Sequence, residues 1–146
     1  IFQEGLLEVI PIAEDLGIHL LIEPEPELLI ENSNQFIEFI EKFDSKFLGL
    51  NFDIGHFFCV NENPDELIID LQDYIQHIHL EDIAFSREHY HLIPGYGVID
   101  FKKIFTSLQA INYSGFITVE LYPYQNNPQN AAIESITYLK SIIENV

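Results

Sequence analysis

The chain has 146 residues, 47% of them hydrophobic and 13% aromatic, which suits one compact domain with a sizeable core and excludes a disordered segment. Its 24 acidic residues outnumber 6 Lys and Arg, a formal net charge of −18, so no basic stripe can neutralise a phosphate backbone and nucleic acid is not an expected partner. No segment has the length and apolar purity of a membrane span, and the single cysteine, Cys59, excludes an internal disulfide framework and fits a reducing cytoplasm.

The chain begins at Ile1 and holds no Met, so upstream sequence is expected. Residues 2–16 read as a helix with Leu6, Ile10 and Ala13 inward and a stop at Gly17, weakened or bent by Pro11. The apolar run 18–22, bounded by EPEPE, reads as a buried strand. Ser33 or Asn34 caps a second helix with Phe36, Ile37, Ile40 and Phe43 facing inward. Residues 47–52 form a second strand. Asn63 and Pro64 are a cap and first-turn pair that opens a helix over 66–74. Residues 75–80 form a third strand. A long stretch at 83–99 follows, then a helix over 100–111. Residues 115–121 form the fourth strand, and Asn127–Pro128 starts a final helix to about Ile143. Its expected inward stripe is Ile133, Ile136, Leu139 and Ile143. Four strand–helix units with largely apolar strands imply an α/β fold, a parallel sheet with helical crossovers. The loop at 83–99 is long enough to be functional or mobile.

Polar residues recur at one place in each unit. The first strand runs into Glu23, the second into Asp53, the third carries His79 and the fourth carries Glu120. In a parallel sheet these C-terminal ends share one face, where loops build active sites. Two Glu, one Asp and one His suit a divalent cation: Mn²⁺, Mg²⁺ or Co²⁺, with Zn²⁺ also in range. Each residue has a plainer explanation. Glu23 sits among Glu25 and Glu27 as one more solvated carboxylate, and Asp53 caps a turn at Ile54–Gly55. His79 and His77 point to the same side of a strand, and either serves as a hydrogen-bonded structural histidine. Glu120 needs a partner if its apolar strand is buried. The coincidence of four such residues at equivalent depths favours a site.

The motifs IEP (22–24), NFDIGH (51–56), HIHLED (77–82), PGYGVIDF (94–101) and TVELYPY (118–124) resemble the xylose isomerase-like barrel superfamily. That group includes sugar epimerases, sugar-phosphate isomerases, inosose-type dehydratases and endonuclease IV. The resemblance covers nearly the whole chain and implies that residues 1–146 are a single domain, the C-terminal half of a (β/α)8 TIM barrel. It implies Glu23, Asp53, His79 and Glu120 as metal ligands, the set that the strand ends select. It also implies substrate contacts from His56 and from His91. The latter corresponds to a position used for substrate in epimerases and for a second metal in the endonucleases. The segment His89-Tyr90-His91 is similar to the Asp-x-His pair of those endonucleases, with His89 in place of Asp. No counterpart of a further substrate-binding Glu of some epimerases is evident in PELLIEN.

The expected function is therefore divalent-metal-dependent isomerisation or epimerisation of a sugar or sugar-like polyol, with Glu23 and Glu120 exchanging a proton beside a carbonyl. The alternatives are a metal-dependent phosphodiesterase, opposed by the acidic charge, and a non-catalytic fragment or scaffold. Half a barrel exposes two strand edges, so the chain is expected to form a homo-oligomer or to pair with a missing N-terminal half.

Overall fold

The structure is a computed structural model that describes residues 1–145. Strands β1 (Leu20–Ile22), β2 (Leu48–Asp53), β3 (Ile75–Leu80) and β4 (Ile117–Val119) form one sheet in that spatial order. Each neighbouring pair is parallel, so every strand returns through a helical crossover. The helices are α1 (Phe2–Leu16), α2 (Ser33–Ile40), α3 (Ile54–Cys59), α4 (Pro64–Asp70), α5 (Phe101–Ala110) and α6 (Pro128–Ile143). The α/β class and parallel order expected from the alternation hold.

Local signals account for most boundaries. Leu6, Ile10 and Ala13 are buried on α1, and Gly17 closes it at φ 66° while its N–H reaches the last-turn carbonyls. Pro11 lies on the exposed side of α1 and does not end it. The cap of α2 is Asn32, one residue before the expected Ser33, because the Asn32 side chain accepts from the Gln35 N–H. Ser33 instead hydrogen-bonds Glu62. The helix α3, which sequence periodicity does not announce, starts directly at the end of β2 because Asp53 caps it by accepting from the His56 N–H.

Two expectations need correction. On α6 the buried residues are Ala131, Ser135 and Leu139, whereas Ile133, Ile136 and Ile143 are about half exposed. Small residues spaced four apart let this helix lie close, and the Ser135 hydroxyl is satisfied by the Ala131 carbonyl at 2.7 Å. The strands are also not uniformly apolar on both faces. Strand β2 is wholly buried, but β3 alternates and β4 is mostly exposed. An edge strand has one neighbour, and Phe116 beside β4 is 84% exposed.

The core lies between the sheet and its helices, where Phe36, Phe52, Phe57, Ile78, Leu80 and Ile104 are nearly or fully buried. Burial of each such side chain stabilises the fold by about 1.5–3 kcal/mol. Within β3, Leu50 pairs with Ile75 and Asn51 with His77, so Gln76 is the extra residue of a bulge. Beyond it, Ile78 and Leu80 point into the core while His77 and His79 point to the open face. Among the described residues, no helix is long and apolar enough to cross a membrane.

Candidate functional site

The parallel register brings the four expected strand-end residues together. Asp53 closes β2 and His79 is the penultimate residue of β3, paired in register with Asp53. Glu23 and Glu120 each stand one residue beyond their strands. The His79 Nδ1 lies 2.8 Å from Glu23 Oε1, 3.3 Å from Glu120 Oε2 and 3.9 Å from Asp53 Oδ2. Each of the four residues offers a ligand atom within 4.8 Å of all the others.

One imidazole nitrogen cannot satisfy three carboxylates. The buried Glu23 Oε1 and Asp53 Oδ2 have no aligned hydrogen-bond partner. Three carboxylates and an imidazole around one point, with buried acceptors left over, fit a divalent cation. Without one, His79 must act as the counter-charge. Its close contact with Glu23 raises its pKa above the usual histidine value against the effect of burial, and the Glu23, Glu120 and Asp53 charges add to this. Burial alone would raise Glu23, but the contacts and charges of His79 and His56 bring it below the usual carboxylate value. Asn51, which the sequence reading passed over, places its side-chain amide 3.3 Å from His79 Nδ1. Its signals in the sequence were a position on β2 two residues before Asp53 and a place at the head of the NFDIGH motif.

The two expected substrate residues sit beside this cluster. His56 is 4% exposed, with Nδ1 2.9 Å from the Pro24 carbonyl and Nε2 3.8 Å from Asp53 Oδ2. His91 is 1% exposed, with Nδ1 3.1 Å from the Glu120 carbonyl. These carbonyls accept N–H bonds, so each ring keeps Nε2 as its acceptor. His89 completes a group of three imidazoles. Its Nε2 lies 3.2 Å from His91 Nε2, and its ring stands edge-on to His56 with centroids 4.6 Å apart. Burial and the neighbouring His56 and His91 lower its pKa. His77, the alternative to His79, points away to the Thr118 hydroxyl at 2.9 Å.

The adjacent acids Glu81 and Asp82 had no assigned role, and both are buried. Asp82 organises the 83–99 loop. Its Oδ1 accepts from the N–H groups of Ile83 (2.9 Å) and Ile99 (3.0 Å), and its Oδ2 from Gly95 (2.9 Å) and Gly97 (2.8 Å). Its backbone also pairs with Leu92 in an antiparallel bridge. Thus the segment carrying His89 and His91 is fastened to the end of β3. Glu81 points the other way, beside Asp53 and Gly55, and neither of its oxygens has an aligned partner. Burial first, then the Asp53 carboxylate, pushes its pKa well above the usual value. The sequence signal was available: an acidic pair directly after an apolar strand has to be partnered or neutral if buried.

Two clefts flank the cluster. One of about 520 Å³ is lined by Pro26, Glu27, Glu31, Cys59, Arg87 and His89, among others. The other, about 340 Å³ and more apolar, runs past Glu23 along Leu21 and Leu28 to Ile30. Arg87 in the first is held against Phe58, its guanidinium 3.9 Å from the ring centroid and bonded to the Phe58 carbonyl.

A family model described as xylose isomerase-like TIM barrel matches residues 1–142. The chain is 28% identical to an inosose dehydratase of Clostridium beijerinckii over 158 aligned residues, covering 96% of this chain and 53% of that protein. It is 34% identical to an uncharacterized protein of Methanocaldococcus jannaschii, covering 95% of this chain and 47% of the relative. A solved structure of a D-tagatose 3-epimerase-like protein superposes with a TM-score of 0.86 at 33% identity, covering 99% of this chain and 54% of the other. The chain therefore spans about half the length of the relatives it matches.

Proposed function

The chain belongs to the xylose isomerase-like TIM barrel family, and from that premise we propose that it carries the metal-binding face of a divalent-metal-dependent sugar or polyol isomerase or epimerase. The observation that carries this reading is the convergence of Glu23, Asp53, His79 and Glu120 from four strand ends onto one point. Those four residues hold the ion, with Mn²⁺, Mg²⁺ and Co²⁺ favoured by three carboxylates and Zn²⁺ within range. When bound, the cation supplies Lewis acidity toward a carbonyl and an adjacent hydroxyl oxygen.

The remaining chemistry belongs to side chains. Glu23 and Glu120 come from the two outer strands, β1 and β4, and so can approach a substrate carbon from different sides. One carboxylate removes the proton beside the carbonyl and the other returns it. Proton return to the opposite face gives an epimer, and return to the neighbouring carbon gives an aldose–ketose pair. His56 and His91, oriented by the Pro24 and Glu120 carbonyls, steady substrate hydroxyls through Nε2. The Clostridium relative is named an inosose dehydratase, and in this chain removal of the proton beside a carbonyl would equally be the step from which loss of water could follow.

The test is a screen of ketoses and keto-polyols with Mn²⁺ or Co²⁺ in deuterated water. Deuterium gained beside the carbonyl in the product supports proton exchange, whereas a product lighter by water marks a dehydratase. Glu120→Gln is expected to lower turnover by about 10²–10⁴-fold, the usual worth of a positioned acid or base. Wild-type turnover in that variant rules out the assigned role. The sheet edges β1 and β4 are proposed to pair with the remainder of a barrel or with a second copy, which light scattering distinguishes by mass.

A further inference from the structure

We infer that Asn51 is a positioning residue of the site, an amide set beneath the four strand-end residues that fixes the orientation of Glu23 and His79. The inference rests on the metal-binding reading proposed above and adds a residue to it.

The register of β2 puts Asn51 there. Its chain neighbours Leu50 and Phe52 are fully buried in the core, so Asn51 and Asp53 turn to the open face. Asp53 pairs with His79 of β3, and Asn51 pairs with His77, one tier further from the strand ends. The Asn51 Nδ2 lies 3.3 Å from His79 Nδ1 and 3.4 Å from His79 Nε2. An amide in line with one ring nitrogen would stand well away from the other, so near-equal distances set it over the face of the ring. That N–H···π contact opposes rotation of the imidazole. It leaves Nδ1 aimed at Glu23 Oε1, 2.8 Å away, and at Glu120 Oε2, 3.3 Å away. His77 stands edge-on to the same ring, with centroids 5.3 Å apart, and is itself held by the Thr118 hydroxyl.

Glu23 is steadied by the same amide. Burial raises the Glu23 pKa, whereas His79, His56 and the side-chain contact of Asn51 lower it. Turned over, the amide would set its oxygen against a carboxylate, so the NH₂ end belongs on this side. The residue type carries the argument further. Asn is disfavoured within strands, and an apolar branched side chain would suit a position that is only 8% exposed. Asn51 also leaves its Oδ1 buried without an aligned partner, a cost that an apolar residue avoids. An unfavourable residue in a wholly buried strand is accounted for by what its NH₂ group does to Glu23 and His79.

The experiment titrates chelator-stripped wild type and Asn51→Leu, similar in size and without the amide, with Co²⁺ alone and follows the visible absorption band of the bound ion. One ion with a defined band is expected in wild type. In Asn51→Leu the dissociation constant should rise about 10–100-fold and the band should change shape, the usual result of losing a group that orients metal ligands. The Tm of the metal-free variant should equal or exceed that of wild type, because an orphaned acceptor has gone. Equal affinity and an identical band in the two proteins overturn the role of Asn51 while leaving the ion site intact. Weaker binding together with a lower metal-free Tm makes Asn51 a support of the fold, which also sinks the inference. No Co²⁺ bound by wild type overturns the metal-binding reading and takes this inference with it. A wild-type measurement decides the matter even if the variant does not fold. In NMR spectra the Asn51 side-chain amide protons should be shifted upfield by the His79 ring and exchange slowly with solvent; ordinary shifts with fast exchange refute the contact.

Discussion

Replacing Asp82 by Asn tests the structural basis of the site without touching a proposed ligand. The native carboxylate accepts four backbone N–H groups, two on each oxygen. An Asn side chain has one acceptor oxygen, so its amide NH₂ must face either the Ile83 and Ile99 donors or the Gly95 and Gly97 donors. Two hydrogen bonds to a charged acceptor are lost, each worth about 1.5–3 kcal/mol. Their sum, about 3–6 kcal/mol, is a large share of the stability of an ordinary domain, roughly 5–15 kcal/mol. At about 2–4 °C per kcal/mol for a chain near this size, Tm should fall by roughly 6–24 °C. Hydrogen exchange read by mass spectrometry should place the loosening in residues 83–99. Asp100→Asn is the control. Asp100 is exposed and caps α5 through a single bond to the Lys103 N–H at 3.2 Å, and Asn caps nearly as well as Asp. A Tm within about 3 °C of wild type for Asp82→Asn, with unchanged exchange over 83–99, would refute the loop-anchor reasoning.

Three further outcomes follow from the same structure. Phe36→Ala removes a fully buried ring stacked edge-on against Tyr74 at 5.6 Å, so denaturant unfolding should show a loss of about 3–5 kcal/mol; a loss under about 1 kcal/mol contradicts the packing described. In chelator-treated protein the raised His79 pKa makes its contact with Glu23 a stabilising contribution that is complete below the unfolded histidine pKa. It is lost as pH rises through the folded value, and NMR titration should show His79 falling back toward the ordinary value in Glu23→Gln; an unchanged titration midpoint in that variant negates the cause assigned here. The Cys59 thiol, pushed up to about 11 by burial and the Asp53 charge, should react with iodoacetamide at pH 8 roughly a hundredfold more slowly than an unhindered thiol; a rate within tenfold of the free thiol would contradict that.

How far the sequence carried can be judged residue by residue. Helix α1 with its Leu6, Ile10 and Ala13 face and its Gly17 stop was legible, because periodicity and an αL glycine are local properties. The inner face of α6 was not. Periodicity finds the large apolar residues, whereas close packing chose Ala131 and Ser135 and left Ile133 and Ile136 outside. The helix α3 escaped notice because it depends on Asp53 ending a strand and capping a helix at once.

The same division runs through the site. Alternating strands and helices with an acid or histidine at each strand end determined, without coordinates, that Glu23, Asp53, His79 and Glu120 would share one face, because parallel strands send their C-terminal ends the same way. Only the tertiary structure decided that His79 rather than His77 stands among the carboxylates, since both lie on the same side of β3. It alone placed His89 beside His56 and His91, which lie 33 and 2 residues away in sequence. It also separated the two adjacent acids of HLED. Successive residues leave a strand end in opposite directions, so Asp82 turned outward to four loop amides, and Glu81 turned inward to a buried place beside Asp53 and Gly55.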